Sequence, residues 1–242
     1  MSEHETVLVL DFGGQYTQLI ARRVRELAVY CEIVPFDTPV EKIRERSPIG
    51  LVLSGGPDSV YGDDAPRPDP GLLDLDLPIL GICYGMQLIA HHAGGEVDAA
   101  GMREYGRTEI LVEREGCLLQ GLSSHETVWM SHGDKVQAPP EGWAVLAATV
   151  NAPVVAFEEP EQQRYGIQFH PEVTHTVQGR QVLRNFLFSA CGATGEWRMA
   201  SYLDEAAEAI REQVGDARVI CALSGGVDSS VVTALLLSLI HI

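Results

Sequence analysis

LPILGICYG, at residues 77–85, is the most informative stretch of this chain. Its apolar run predicts a buried strand, its glycines predict a sharp turn, and YGMQLIAHHA at 84–93 predicts a helix that follows at once. The same succession appears earlier, where VLVLDFGG at 7–14 precedes YTQLIARRVREL at 16–27. Strands and helices that alternate in this way predict an α/β fold with a mostly parallel open sheet flanked by helices.

The strand pattern changes in the second half of the chain. Up to that point, EIVPF at 32–36 and GLVLSGG at 50–56 predict further strands, separated by a short polar helix at 40–46. Between residues 96 and 169, alternating apolar and polar residues predict short, partly antiparallel strands instead. The apolar residues of 177–190 then share one face and predict a helix.

A linker separates this region from a second unit. CGATGE at 191–196 is typical of a linker, and it precedes a predicted helix at 199–214 and a predicted strand at 218–223. A glycine loop and the start of another helix follow that strand. We therefore expect two domains, at residues 1–195 and 198–242.

Composition excludes several classes of protein. The 242 residues include 34 acidic and 17 basic side chains, a net charge of -17, which is the wrong sign for a nucleic-acid or anionic-membrane partner. The longest apolar run, at residues 231–242, is shorter than the roughly 20 residues of a membrane span. Five cysteines without a CxxC pair indicate neither a disulfide framework nor a zinc site. We expect a cytoplasmic protein, because that compartment keeps thiols reduced.

Cys83 is the candidate nucleophile. It is the centre of a G-x-C-x-G sequence between a predicted strand and helix, the nucleophile-elbow pattern with cysteine in place of serine. Such a turn lifts the side chain off the sheet edge, and the positive end of the helix dipole favours the thiolate. A buried cysteine in a tight turn is the alternative interpretation of the pattern.

His170 is the candidate base for that thiol. It ends a predicted strand in YGIQFHPE, and residues two apart in an extended segment point to the same side, so Glu172 can hold its imidazole. Both Cys83 and His170 follow strands, at the edge where open α/β sheets place their sites. A His-Pro-Glu turn without function is the alternative, but together with the elbow the pattern predicts a Cys-His-Glu triad.

Two backbone N–H groups are candidates for an oxyanion hole. Tyr84 directly follows the nucleophile, so its N–H points toward the same edge of the sheet. The strand at 50–53 ends in Ser54-Gly55-Gly56-Pro57, which can present a second N–H at that edge. Acyl transfer needs both donors, because charge develops on the oxygen of the attacked carbonyl.

These motifs together resemble the class I glutamine amidotransferase family. GICYGMQ, SGGP, SHGD at 131–134 and FHPE carry the resemblance, which extends over nearly the whole chain and implies a flavodoxin-like sheet. It implies that Cys83 attacks the glutamine side-chain amide, that His170 and Glu172 complete the triad, and that Gly56 and Tyr84 form the oxyanion hole. It also implies that the glutamine substrate is held by Ser54, Gln87, Ser131, Gly133 and Asp134. His132 is then assigned a structural role, and His91 and His92 are interpreted as surface or packing residues.

A second motif lies at residues 224–230. SGGVDSS follows a predicted strand and opens a helix, where backbone N–H groups can cradle phosphate. It lacks the G-K-[ST] ending of a Walker A loop and resembles the pyrophosphate-binding loop of ATP pyrophosphatases. The resemblance implies that ATP is bound by Ser224, Gly225, Gly226, Val227, Asp228, Ser229 and Ser230.

The two motifs in one chain resemble the amidotransferases that aminate a purine nucleotide, as does the opening stretch DFGGQYTQLIARRVRE at 11–26. The resemblance implies that glutamine, ATP with Mg²⁺ and xanthosine monophosphate are the substrates of the complete protein, and that the complete protein is a homodimer. Residues 198–242 are too few for a whole ATP pyrophosphatase domain, so we expect only its first fragment, with an exposed apolar helix face.

Two other functions fit the same sequence. A γ-glutamyl hydrolase, or the glutaminase subunit of another amidotransferase, would use the same elbow. A non-catalytic nucleotide-binding fragment would use the glycine loop and not Cys83. Activity toward glutamine and toward γ-glutamyl peptides distinguishes a γ-glutamyl hydrolase from the leading hypothesis. Cys83→Ala distinguishes the nucleotide-binding fragment, because it would leave the function of such a fragment intact.

Overall fold

The computed structural model describes residues 4–98 and 104–239, in which the chain forms eleven strands, six α-helices and one π-helical segment. The strands are β1 (Thr6–Asp11), β2 (Tyr30–Pro35), β3 (Gly50–Leu53), β4 (Ile79–Ile82), β5 (Glu96–Asp98), β6 (Glu104–Val112), β7 (His125–His132), β8 (Lys135–Ala138), β9 (Ala144–Ala148), β10 (Ala156–Glu159) and β11 (Arg164–Ile167). The helices are α1 (Thr17–Glu26), α2 (Val40–Glu45), α3 (Tyr84–His92), α4 (Gly179–Asn185), α5 (Met199–Val214) and α6 (Val227–Leu239), with the π-helical segment at Phe186–Ala190.

Half of the main sheet is parallel, as the glycine-stopped apolar runs predict. Its strands lie in the order β2-β1-β3-β4-β11, and each neighbouring pair is parallel. This is the strand order of flavodoxin-like folds, so the predicted α/β class is confirmed. The short strands β3, β4 and β11 are buried along their whole length. This burial explains the continuous apolar sequences of β3 and β4.

The other half of the main sheet is antiparallel. β10, β9, β6 and β7 continue it beyond β11, each antiparallel to its neighbour. The alternating burial of β7 shows the two-residue period on which the strand prediction for this region rested. The sequence did not predict the two-stranded sheet of β5 and β8, whose strands are too short to show a period.

Helices cover both faces of the parallel strands. Along β1, Val7 and Val9 belong to one apolar cluster, which also contains residues of α1 and α4. Leu8 and Leu10 belong to a second cluster, on the side of α2 and α3. A sheet with two buried faces leaves its strand ends as the accessible edge, and the glycine turns follow those ends.

The chain divides into two units, Met1–Glu196 and Trp197–Ile242. In the second unit, α5 has the predicted bounds, and the apolar side chains Val231 and Val232 of α6 are exposed, as expected. The strand predicted at 218–223 is wrong: these residues are exposed and carry no regular structure. A strand needs a neighbour for its backbone hydrogen bonds, and the described part of this unit offers no other strand.

No helix within the described ranges has both the length and the apolar character to cross a membrane.

Candidate active site

Cys83 lies at a strained turn between β4 and α3. Its backbone has φ +53° and ψ −106°, a region that residues with a side chain rarely adopt. The flanking glycines are required by close approach, because a Cβ at Gly81 would clash with the backbone of Gly85, and one at Gly85 with Leu53 of β3. The turn therefore has the geometry of a nucleophile elbow.

His170 and Glu172 form a buried pair beside this turn. The Nδ1 atom of His170 lies 2.7 Å from Oε1 of Glu172, and the Glu172 side chain is fully buried. His170 follows β11, the neighbour of β4, and its Cε1 atom and the Cβ of Cys83 both face Gly55. Burial lowers the pKa of His170, but hydrogen bonds to Cys83 and Glu172, with the charges of both, raise it to about 10.

The backbone of His170 is fixed as firmly as its ring. Its N–H donates to the carbonyl of Trp129 in β7, and its carbonyl accepts a 2.5 Å hydrogen bond from the Thr176 hydroxyl. The same Thr176 oxygen accepts from the Trp129 N–H. Arg23 of α1 donates to the Glu172 carbonyl at 2.9 Å. Contacts from β7, from α1 and from Thr176 thus hold the base and its carboxylate in place.

A cavity of about 530 Å³ opens over Cys83. It brings together most of the residues that the sequence assigns to the site, namely Gly56, Cys83, Gln87, Ser131, Gly133, Asp134 and His170. Within the described ranges, Oδ2 of Asp134 is a buried oxygen without a hydrogen-bond partner. Such an atom is available to a ligand with a positive group.

Three of the assigned residues lie outside the cavity lining. Ser54 is fully buried, and its hydroxyl accepts from the Phe12 N–H and donates to the Gly55 carbonyl, so it shapes the loop and does not face the cavity. Glu172 lies behind His170. Tyr84 begins α3, so its N–H has no acceptor within the helix and can face a substrate oxygen.

His132 lines the cavity, and both of its ring nitrogens have partners within the protein. Its ring lies between the Asp134 carbonyl, at 3.0 Å from Nδ1, and the Glu104 carboxylate, at 3.2 Å from Nε2. Burial lowers the pKa of His132 against the opposing effect of Glu104. His91 packs edge-on against Tyr61, and His92 lies 3.8 Å from Asp74 on the surface, which agrees with packing and surface roles.

Gln168 and Tyr16 are contacts that sequence reasoning missed. The Gln168 amide nitrogen lies 3.6 Å from the Cys83 sulfur, and the Tyr16 ring packs edge-on against His170 at 5.1 Å. A signal for Gln168 was present, because the two-residue period that links His170 to Glu172 also runs backward to residue 168. Tyr16 directly precedes α1, where the helical period of the sequence does not indicate a contact with His170.

The glycine loop of the second unit is exposed. Ser224 to Asp228 are solvent-exposed, and Gly225 has φ +85°, which favours glycine. The Ser229 and Ser230 hydroxyls donate to the Gly226 carbonyl at 3.0 and 2.8 Å, within the start of α6. The loop thus forms a short, internally bonded turn at a helix N-terminus.

Residues 8–190 match the family model of class-I glutamine amidotransferases, and the chain belongs to this family. A second model, asparagine synthase, matches residues 201–239. Proteins named glutamine-hydrolysing GMP synthase are 55% identical over 95% of the chain in Carboxydothermus hydrogenoformans and 53% identical over 96% in Caldicellulosiruptor saccharolyticus. The chain spans only 45% and 46% of these relatives, respectively.

Solved structures agree with this assignment. A Thermoplasma acidophilum protein described as one subunit of a GMP synthase is 35% identical, with a TM-score of 0.71 over 85% of this chain and 99% of its own. A glutamine amidotransferase of Thermotoga maritima has the same fold, with a TM-score of 0.63 at 17% identity over 79% of this chain and all of its own.

Proposed function

We propose that this chain is the glutamine-hydrolysing part of a GMP synthase, with Cys83, His170 and Glu172 as its catalytic triad. The observation that carries the proposal is the buried His170–Glu172 pair against a cysteine at a strained elbow. A histidine with a raised pKa beside a cysteine favours the thiolate–imidazolium pair, the reactive form of such a site. The relatives named GMP synthase support the choice among amidotransferases.

In this proposal the Cys83 thiolate attacks the side-chain carbonyl carbon of glutamine. The negative oxygen that forms accepts hydrogen bonds from the N–H groups of Gly56 and Tyr84. The His170 imidazolium gives its proton to the departing ammonia, which leaves a thioester on Cys83. The neutral imidazole then takes a proton from water, whose attack on the thioester releases glutamate. Glu172 keeps the ring oriented throughout.

The cavity lining supports a ligand with a free amino-acid head group. The unpartnered Asp134 oxygen suits the α-ammonium group of glutamine, and Ser131 and Gly133 line the same cavity. The amide nitrogen of Gln87 is already bonded to the Asp134 carbonyl at 2.7 Å, so the oxygen of this amide is the atom left for the substrate. Ser54 acts through the shape of the Gly55-Gly56 loop.

The complete protein would use the ammonia to aminate xanthosine monophosphate, with ATP activating the carbonyl oxygen by adenylylation. The loop at 224–230 fits one part of that task, because it presents glycine N–H groups at the start of α6. Asp228, the acidic residue in the first turn of α6, would be a ligand of Mg²⁺. We place this reaction in the cytoplasm, in keeping with five free cysteines.

Labelling by a diazo-ketone analogue of glutamine tests the proposal. We expect one equivalent to attach to Cys83, and Cys83→Ala to abolish both labelling and glutamate release while the circular dichroism spectrum stays unchanged. The matched control is Cys221→Ala, an exposed free cysteine in the second unit, which should label and turn over like wild type. Glutamate release that survives Cys83→Ala contradicts the proposal.

A comparison of two substrates distinguishes glutamine hydrolysis from the hydrolysis of γ-glutamyl peptides. We expect glutamate from glutamine and none from γ-glutamyl peptides at equal concentration. The opposite preference would assign the site to a γ-glutamyl hydrolase. Because the ATP-dependent part of the protein can govern turnover, the labelling result, and not the absolute rate, decides the identity of the nucleophile.

A further inference from the structure

Gln168 is a fully buried amide that touches the nucleophile. Its side-chain nitrogen lies 3.6 Å from the Cys83 sulfur and is placed to donate a hydrogen bond to it. Gln168, His170 and Glu172 lie in the bend and turn that follow β11, where Glu172 bonds to His170 at 2.7 Å. One short stretch of chain therefore supplies a donor to the sulfur, the base and the carboxylate that orients the base.

The orientation of this amide is fixed by a second hydrogen bond. Gln87 donates its side-chain N–H to Oε1 of Gln168 at 3.3 Å, and the same nitrogen donates to the Asp134 carbonyl at 2.7 Å. If the Gln168 amide were turned over, two N–H groups would face each other, which is unfavourable. The nitrogen of Gln168 is thus the atom held against the sulfur.

The charge on the sulfur gives this contact its importance. The Cys83 thiol donates to the Ser131 carbonyl at 3.6 Å, so a thiolate at the same position would face a partial negative charge. A buried anion is costly unless donors surround it. Besides the His170 imidazolium, the Gln168 N–H is placed to meet it.

We propose that Gln168 is a catalytic residue that stabilises the Cys83 thiolate by a hydrogen bond from its amide nitrogen, with Gln87 holding the amide in the required orientation. The proposal rests on the nucleophilic role of Cys83. The hydrogen bond favours the thiolate over both the thiol and the thioester, because charge leaves the sulfur when the acyl bond forms. Its loss should therefore move the pH at which Cys83 becomes reactive.

The test measures the rate of Cys83 alkylation by iodoacetamide as a function of pH, together with kcat and KM for glutamine. In Gln168→Met, we expect the alkylation midpoint to rise by about one pH unit and kcat near neutral pH to fall about tenfold, as for the loss of a hydrogen bond to a charged group. The plateau rate at high pH should not fall, since the thiolate is then fully formed.

A second variant distinguishes the loss of the hydrogen-bond donor from a change in side-chain packing at residue 168. Gln168→Glu keeps an oxygen for the Gln87 N–H but replaces the donor by a negative charge, so we expect a larger rise of the midpoint and about a 100-fold loss of kcat. The other titratable groups around the cavity remain in both variants; they are His170 with Glu172, His132 with Glu104, Asp134, Asp58, Tyr16 and Tyr105. Gln181→Met removes an amide that bonds Asn185 away from the cavity and should leave the profile unchanged.

Each outcome decides the proposal. A wild-type alkylation profile in both Gln168 variants, or a uniform loss at every pH without a shift of the midpoint, overturns it. If Gln168→Met does not fold, as judged by its thermal transition, the Glu variant carries the test. Failure of wild-type Cys83 to label instead contradicts the proposed function, so the two failures are distinguishable.

Discussion

At the scale of the residue, the site depends on a cysteine held in an unfavourable backbone conformation. Positive φ at a residue with a side chain costs about 1–3 kcal/mol, which the packing of β4 and α3 must offset. What this strain achieves is position, because it directs the thiol into the cavity that His170 also lines. Cys31, by contrast, is fully buried, and burial raises the pKa of its thiol to about 11.

Glu172→Gln should lower both activity and the pKa of His170. We expect kcat for glutamine hydrolysis to fall by about 10²- to 10⁴-fold, the usual contribution of an oriented acid–base group. The titration midpoint of His170, followed by its Cε1–H resonance, should fall by about 1 to 3 pH units, because a neighbouring negative charge is removed. The exposed Glu141→Gln is the control and should change neither quantity.

Glu172→Gln should also change how the free energy of unfolding depends on pH. The folded protein raises the pKa of His170 to about 10, so His170 contributes stability that is fully present below about pH 6.5 and lost as the pH rises through about 10. The difference in free energy of unfolding between wild type and Glu172→Gln should therefore be larger at pH 6 than at pH 10.5. Urea unfolding at both values measures it, and an equal or reversed difference contradicts the assignment.

How much of the site the sequence predicts depends on local periodicity. The sequence predicts Cys83, His170 and Glu172 as site residues because a glycine turn and a two-residue period indicate where their side chains point. The position of Ser54 behind the loop was not predictable, since its hydroxyl is used by Phe12, 42 residues away in sequence. Contacts of that kind depend on the packed fold and leave no local pattern.

At the scale of the element, the contact of α3 with the sheet depends on two glycines, which have no side chain to keep the backbones apart. Gly81 and Gly85 bring the start of α3 so close to β3 and β4 that a methyl group at either position would meet backbone atoms. Backbone cannot move aside as a flexible side chain can, and interiors are close-packed.

Gly85→Ala should therefore destabilise the protein by about 3 kcal/mol or more and abolish labelling of Cys83, since the added methyl group displaces α3 from Leu53. Gly71→Ala is the matched control, because the nearest atoms to its new methyl group lie at the ordinary distances of 3.5 and 3.7 Å. Thermal denaturation and labelling stoichiometry measure both effects. Equal stability of the two variants would rule out this account of the elbow.

The elements themselves were predicted where their pairing partners are present. Every strand of the parallel half, and most of the antiparallel half, follows from apolar runs and alternation, because burial on a sheet produces those patterns. The same reasoning failed at 218–223, where the apolar pattern is present but no other strand of that unit is described. A sequence pattern indicates that a segment can form a strand. It does not indicate whether a neighbouring strand is present for that segment to pair with.

At the scale of the whole molecule, the two units differ in how well their backbone is held. Residues 218–224 form no backbone-to-backbone hydrogen bond in the described structure, and Arg218 is exposed. Arg164 in the first unit is buried, and its guanidinium donates to the carbonyls of Leu73, Leu75, Leu77, Gln162 and Gln163. Local stability follows such bonds, so opening should be easiest near Arg218.

Limited trypsin digestion should cut first after Arg218. The expected product retains residues 1–196 and labels at Cys83 as fast as the intact chain, since the residues of the cavity belong to the first unit. Mass spectrometry of early time points identifies the cut, and cleavage at Arg164 should be absent. First cleavage within residues 4–196, or slower labelling of the product, contradicts this division of the molecule.

The neighbouring position of β4 and β11 has a consequence for synthesis of the protein. The sulfur of Cys83 and the amide of Gln168 are 85 residues apart in sequence, and β4 lies within the sheet only after β11 has paired with it. A ribosome adding about 5 to 20 residues per second exposes Cys83 seconds before its histidine exists. During that interval the thiol has no base to activate it, so we expect no glutamine hydrolysis by the nascent chain until β11, the final parallel strand, is in place.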